Sequence, residues 1–175
     1  MKTKILFLLF IFTSLRLFSQ SNEKISSILS SEKVTYGEVC YLVATAQGFV
    51  DDDASYEQAI QVLYDKGQMK SIVYKNEYIP LVNVTFLFSQ LWDIKGGLMC
   101  RLTNNSPRYV FKQLKSDGVI ESSKDASSFV SGRYALSLYT TCLYYYGNQE
   151  LYQKEYRWNN RRVSSEKHRK PLPNT

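Results

Sequence analysis

The stretch Val34-Thr35-Tyr36-Gly37-Glu38 constrains the folding of this chain more than any other. The Thr35 side chain can accept a hydrogen bond from the Glu38 NH, and the Glu38 side chain can reach back to the NH of Thr35. That reciprocal box opens a helix. Behind it Val39, Leu42, Val43 and Ala46 recur at helical spacing, and Gly48 supplies a stop. Ser55 with Gln58 is a second box, starting a helix whose inner face is Ala59, Val62 and Leu63. Gly67 ends that helix and Met69 packs back.

The same order then returns. Pro80-Leu81 opens an apolar helix through Val84, Leu87, Phe88, Leu91 and Trp92, which ends before Gly96-Gly97. A polar stretch, residues 103–106, leads to Pro107 at a first-turn position, which proline tolerates. Val110, Phe111 and Leu114 follow, closed by Asp117-Gly118-Val119-Ile120. Leu63 and Leu114 stand 51 residues apart, as do Gly67 and Gly118. A third opening, Val130-Ser131-Gly132-Arg133, carries Ala135, Leu136, Leu138, Cys142 and Leu143 behind it and Gly147 after it. Aligning Tyr36, Asn83 and Gly132 gives offsets of 47 and 49, the period of a helix-pair repeat. The expected fold is all-α: about two and a half short helix pairs in one small domain over residues 34–150, after a linker at 22–33. Its length suits one core, since domains commonly run ~100–150 residues.

A repeat of this size that begins apolar-Thr-x-small-Glu and later shows Ala-x-x-x-Leu-x-x-x-Gly resembles the S-layer homology domain. Here the first half is residues 34–38 and the second is Ala59, Leu63 and Gly67; the second repeat keeps Pro80-Leu81, Leu114 and Gly118-Val119-Ile120. The resemblance implies a small helical cell-envelope module that holds an anionic wall glycan in grooves between repeats. That family usually places an arginine after the threonine. This chain has Tyr36 there, Asn83 in the second repeat and Gly132 in the third, with Arg133 one place on. Tyr36, Asn83, Arg133 and the neighbouring Tyr134 are therefore the expected ligand-binding residues. Unpaired NH groups and the positive dipole at helix starts favour an anion or a sugar hydroxyl there.

The first residues have the order of a secretory signal. Lys2 and Lys4 precede an apolar run, residues 5–12, and small residues follow at Ser19-Gln20-Ser21. That run is well short of the ~20 residues that span a bilayer, so residues 1–21 are expected to be cleaved and the protein exported to a bacterial periplasm or envelope. No second long apolar run follows. Losing Lys2, Lys4 and Arg16 takes the net charge from +6 to +3. Between residues 154 and 170 seven basic residues stand against two acidic ones, which leaves the remainder at −2. The chain is thus a near-neutral domain with a basic tail at 151–175, led by Tyr152, Tyr156 and Trp158. Arg157, Arg161, Arg162, Lys167, Arg169 and Lys170 in that tail are candidates for contact with an anionic membrane surface; a solvated, partly disordered tail is the alternative. Export makes nucleic acid an unexpected partner.

Three cysteines, Cys40, Cys100 and Cys142, exclude a fully paired framework. Cys40 and Cys142 fall within apolar helical patterns and read as buried thiols, with one disulfide plus one free thiol as the other reading. His168 lies in the tail, so neither a histidine-dependent triad nor a zinc site is expected, and no phosphate-binding glycine loop is present. Asp51-Asp52-Asp53 lacks the glycine and distal glutamate of a calcium loop and reads as acids before a helix N-terminus. No metal, cofactor or catalytic residue is expected. A hydrolase would need two facing carboxylates, for which Glu38, Glu57, Asp93 and the aspartate triplet are the candidates. Aromatic residues make up 14% of the chain, and Tyr134, Tyr139, Tyr144, Tyr145 and Tyr146 crowd the third helix. They suit a sugar-stacking platform, a protein contact surface, or an amphipathic border around the core. The expected function is an exported, non-catalytic envelope module binding a glycan or surface polymer; the alternative is a protein-interaction or scaffold component of a periplasmic or outer-membrane assembly.

Overall fold

A computed structural model of the protein describes residues 19–147, apart from 93 and 95. Its helices are α1 (Ser19–Ser30), α2 (Tyr36–Ala46), α3 (Tyr56–Asp65), α4 (Leu81–Leu91), α5 (Leu98–Leu102), α6 (Pro107–Ser116) and α7 (Gly132–Cys142), which runs into a π-helical turn, Leu143–Gly147. There is no strand among the described residues, so the domain is all-α as expected. None of these helices is long and apolar enough to cross a membrane.

Both capping boxes form. Thr35 Oγ1 accepts from Glu38 N while Glu38 Oε2 accepts from Thr35 N at 2.8 Å; Ser55 and Gln58 do the same for α3. Gly48, Gly67 and Gly118 each take a positive φ just past a helix end, where a Cβ would be strained. The second helices match position for position: N-caps Ser55 and Ser106, buried Leu63 and Leu114, and closing Gly67 and Gly118 are all 51 apart. The two pairs are α2 with α3 and α4 with α6, and α2 also packs on α4. Val39, Leu42 and Val43 are buried as the spacing requires, but Ala46 is exposed at the frayed end of α2.

The helix openings sit in a different register from the expected one. The N-caps are Thr35, Pro80 and Ser131, giving offsets of 45 and 51 in place of 47 and 49. The difference is a six-residue insertion in the second repeat. Eight residues lie between the end of α2 at Ala46 and the Ser55 cap, and fourteen between Leu91 and the Ser106 cap. The extra length builds α5, a helix too short to leave a periodic signal.

The stretch 22–33, expected as a linker, instead lies mostly in α1. Ile28 is fully buried and α1 packs against α7, so this first helix supplies the missing partner of the third pair. The approach is close: a Cβ on Gly132 would fall 1.5 Å from the Ile28 carbonyl oxygen. The expected cleavage after Ser21 falls in the first turn of α1.

The repeats close on one another through backbone hydrogen bonds. The residue before each N-cap (Val34, Ile79, Val130) is buried; Ile79 N donates to Val34 O and Val34 N to Val130 O. Each helix start then donates its first NH groups to the segment leading into another repeat. Tyr36 N and Gly37 N donate to Glu77 O and Lys75 O, Leu81 N and Val82 N to Ser128 O and Ala126 O, and Gly132 N to Ser31 O. The last of these returns to the connection that leads into the first repeat, so the three pairs form a ring. Across it, Phe88 and Trp92 of the second repeat meet the Tyr139 ring of the third edge to face, at 5.7 and 5.1 Å.

Candidate functional site

The ring leaves a groove of about 190 Å³ between the first and second repeats. Tyr36 enters it as the first residue of α2 and Asn83 as the third residue of α4. Asn83 Nδ2 donates to the Tyr36 hydroxyl at 2.6 Å, so two residues expected at equivalent positions instead meet each other. Burial pushes the Tyr36 phenol above its ordinary range and the Glu77 charge adds to this, against the Asn83 hydrogen bond. The hydroxyl therefore keeps its proton and can still donate it to a ligand.

Met69, Val73, Phe86, Leu87 and Pro107 make the apolar wall; Lys70 and Ser71 add polar groups, and no carboxylate lines the groove. Gln68, which lines the groove, is held from behind by amides. Gln68 Nε2 donates to Gln47 Oε1 at 3.0 Å, and Gln47 Nε2 to the Gln90 carbonyl at 3.3 Å. Gln68 Oε1 is left buried without a donor among the described residues. An apolar wall with a few fixed donors and acceptors is the composition of a small-ligand cleft.

The third helix start contributes differently. Arg133 and Tyr134 are the second and third residues of α7 and are not among the groove residues. Arg133 is exposed; Tyr134 is half-buried beneath Lys124, whose Nζ lies 4.8 Å from the ring centre. Burial raises the Tyr134 phenol, with a smaller push from Glu121. The reason expected for an anion at these helix starts needs correcting. Tyr36 N, Gly37 N, Leu81 N, Val82 N and Gly132 N are all spent on the carbonyls that close the ring, so the NH groups are not available to a ligand. What these positions present to solvent or to the groove is therefore side chains.

One cluster escaped the sequence reasoning. Lys33, Tyr78 and Phe129 each stand two residues before an N-cap, and the ring brings them together. The Tyr78 and Phe129 rings meet edge to face at 6.0 Å, with Lys33 Nζ 5.6 and 5.7 Å from their centres, and all three are exposed. The signal was present as a constant distance from each cap, hidden by the register error.

Of the carboxylates considered for hydrolysis, Glu38 and Glu57 are engaged in structural contacts. Glu38 is buried in its capping box and accepts from Ser31 Oγ as well. Glu57 is held below the usual carboxylate range by its hydrogen-bonded pairing with Lys75. In the aspartate triplet the backbone is the anchor: Asp52 O accepts from the Tyr41 hydroxyl at 2.7 Å and from Lys24 Nζ, which also reaches Ala54 O. Cys40, Cys100 and Cys142 are buried free thiols. Of the tyrosine cluster, Tyr139 packs in the aromatic stack and Tyr146 donates to Asp117 Oδ2 at 2.6 Å, whereas Tyr144 and Tyr145 project into solvent. Asp93, His168 and the tail residues Arg157, Arg161, Arg162, Lys167, Arg169 and Lys170 lie outside the described residues, as do residues 1–18 of the expected signal. No family model matches the chain, and comparison with curated proteins and with solved structures gives no match.

Proposed function

We propose that the protein is an exported, non-catalytic module of the bacterial cell envelope that binds an envelope glycan. The supporting observation is the Tyr36–Asn83 pair in the groove between the first and second repeats. A tyrosine with an apolar face and a spare proton, an amide and a lysine on an apolar wall suit a sugar ring with hydroxyls and an acidic substituent. The resemblance to the S-layer homology domain favours the same site class and the same compartment. Tyr134 holds the third position of its helix as Asn83 does, with the exposed Arg133 beside it, and the basic tail adds attraction toward an anionic surface.

Retention of the purified protein on envelope glycan and peptidoglycan fractions tests the proposal. Tyr36→Phe with Asn83→Ala is expected to weaken retention about tenfold, a loss of about 1.4 kcal/mol, with helix content unchanged. Arg133→Ala is expected to weaken it less and to leave the melting temperature where it was. No retention on any fraction removes the reading.

A protein-interaction role is the second reading, favoured by Tyr144, which is 72% exposed beside Tyr145. Cross-linking in cells that yields a discrete protein partner, lost on Tyr144→Ser, with no glycan retained, selects it.

A further inference from the structure

The six-residue insertion of the second repeat produces α5, and α5 is built to show apolar side chains to solvent. Its inner face is anchored: Cys100 is buried, and Asn105 N closes on Cys100 O at 2.7 Å through two residues, Asn104 and Asn105, held at positive φ. Gln113 of α6 fixes its start by accepting from Gly97 N at 2.9 Å, and is itself tied to Asp117. On the outer face Leu98 is 73% exposed, Leu102 71% and Met99 47%. Leu98 and Leu102, four residues apart, lie on one side of the helix. An insertion that buries one thiol and exposes three large apolar groups does not serve the stability of the domain, since the first repeat closes without it.

The charge around this knuckle is mostly basic. From Leu98 to Ser116 the sequence holds four basic residues and no acidic one. Lys115 is turned onto the Ser122 carbonyl, which leaves Arg101 on α5 and Arg108 and Lys112 on the adjoining α6 exposed. Exposed leucines and a methionine set among three exposed cations, with the nearby Asp117 carboxylate already taken up by Gln113 and the Tyr146 hydroxyl, are the chemistry of a segment that rests in the headgroup layer of an anionic bilayer.

We infer that α5, with Leu98, Met99 and Leu102 as the apolar contact and Arg101, Arg108 and Lys112 around it, is a membrane-surface contact of the folded domain, specific for anionic lipid. This surface is independent of the glycan groove and of the basic tail. The leucines enter the acyl boundary while the guanidinium and ammonium groups pair with lipid phosphates.

The test is flotation of the full chain with vesicles of phosphatidylcholine alone and of phosphatidylcholine with phosphatidylglycerol. The variant is Leu98→Ser with Leu102→Ser, which leaves every charge in place, so any attachment through the tail is the same in both proteins. Binding to the anionic vesicles only, weakened about tenfold or more in the variant, is the expected result. Arg101→Glu with Arg108→Glu, a second variant of exposed residues, is expected to lose binding as strongly. Equal binding of the double-serine variant and the parent overturns the inference and gives attachment to the tail. Failure of the parent to bind anionic vesicles overturns it too. So does a concentration-dependent dimer abolished by the serine substitutions without vesicle binding, which assigns the face to a second copy of the chain. Glycan retention is read separately and does not enter this result.

Discussion

Gly132 is the residue on which ring closure depends most directly. An alanine methyl there would overlap the Ile28 carbonyl oxygen, a backbone atom that cannot swing aside. Gly48 offers the contrast: its φ of 68° strains any L side chain, yet a Cβ there meets nothing within 4 Å. Gly132→Ala should therefore cost about 3 kcal/mol or more, as overpacking against a fixed atom, and Gly48→Ala about 1–2 kcal/mol. Urea unfolding of the two variants checks the order; equal costs would mean that α1 yields easily. The buried thiols make a second expectation at this scale. Burial pushes Cys40 and Cys142 up to about 12 from an ordinary 9.0. The unfolded thiols ionise first as pH rises, so this contribution is complete below about pH 9 and is lost progressively toward about pH 12, with a slope of up to about 1.4 kcal/mol per pH unit for each thiol. Cys40→Ala with Cys142→Ala should flatten the fall of the urea midpoint between about pH 9 and about pH 11. An unchanged slope would assign the alkaline loss to the tyrosines, six of which are also raised chiefly by burial.

At the scale of elements, α1 is the instructive case. Ile28 anchors it beneath α7, and Ile28→Ala is expected to cost about 2–5 kcal/mol, the range for emptying a buried aliphatic site. A cost under 1 kcal/mol in thermal melts would show that the helix contributes little to the body. Its existence was illegible in sequence because residues 22–33 are mostly serine and charged groups, with only Ile25, Ile28 and Leu29 apolar. Its stability comes from a partner about a hundred residues away. Five helices could be read; α4 and α7 show an apolar stripe, and α2, α3 and α6 add local signals at both ends, a capping box or a first-turn proline and a closing glycine. α5 lacked enough turns for any period. The second opening carries a proline cap in place of a capping box and lies 45 residues after the first, so Asn83, the third residue of α4, is the hydrogen-bonded neighbour of Tyr36 and not its equivalent. The groove residues from the connecting segments, Gln68 to Ser71, carry no periodic pattern and appear only once the helices are placed.

For the whole molecule, the backbone bonds from each helix start to another repeat make the three pairs mutually dependent. A linear array of repeats can fray from its ends, because each unit touches only its neighbours. Here the first and last described helices hold one another. Urea unfolding followed by far-UV circular dichroism and by tryptophan emission should therefore give coincident single transitions. Trp92 reports on the junction of the second and third repeats, so an earlier loss of its signal would reveal a ring that opens there first.

The contact between Ile28 and Gly132 also sets an order of events for a chain made from its N-terminus. The first described helix must wait for the last described one before it finds its resting place. Until then α1 has an exposed isoleucine face and the first two pairs lack a closed edge, and long-range closure of this kind is slow. The described domain of a nascent chain stays open until α7 has emerged, and whatever binds exposed apolar segments during synthesis has that whole interval in which to act.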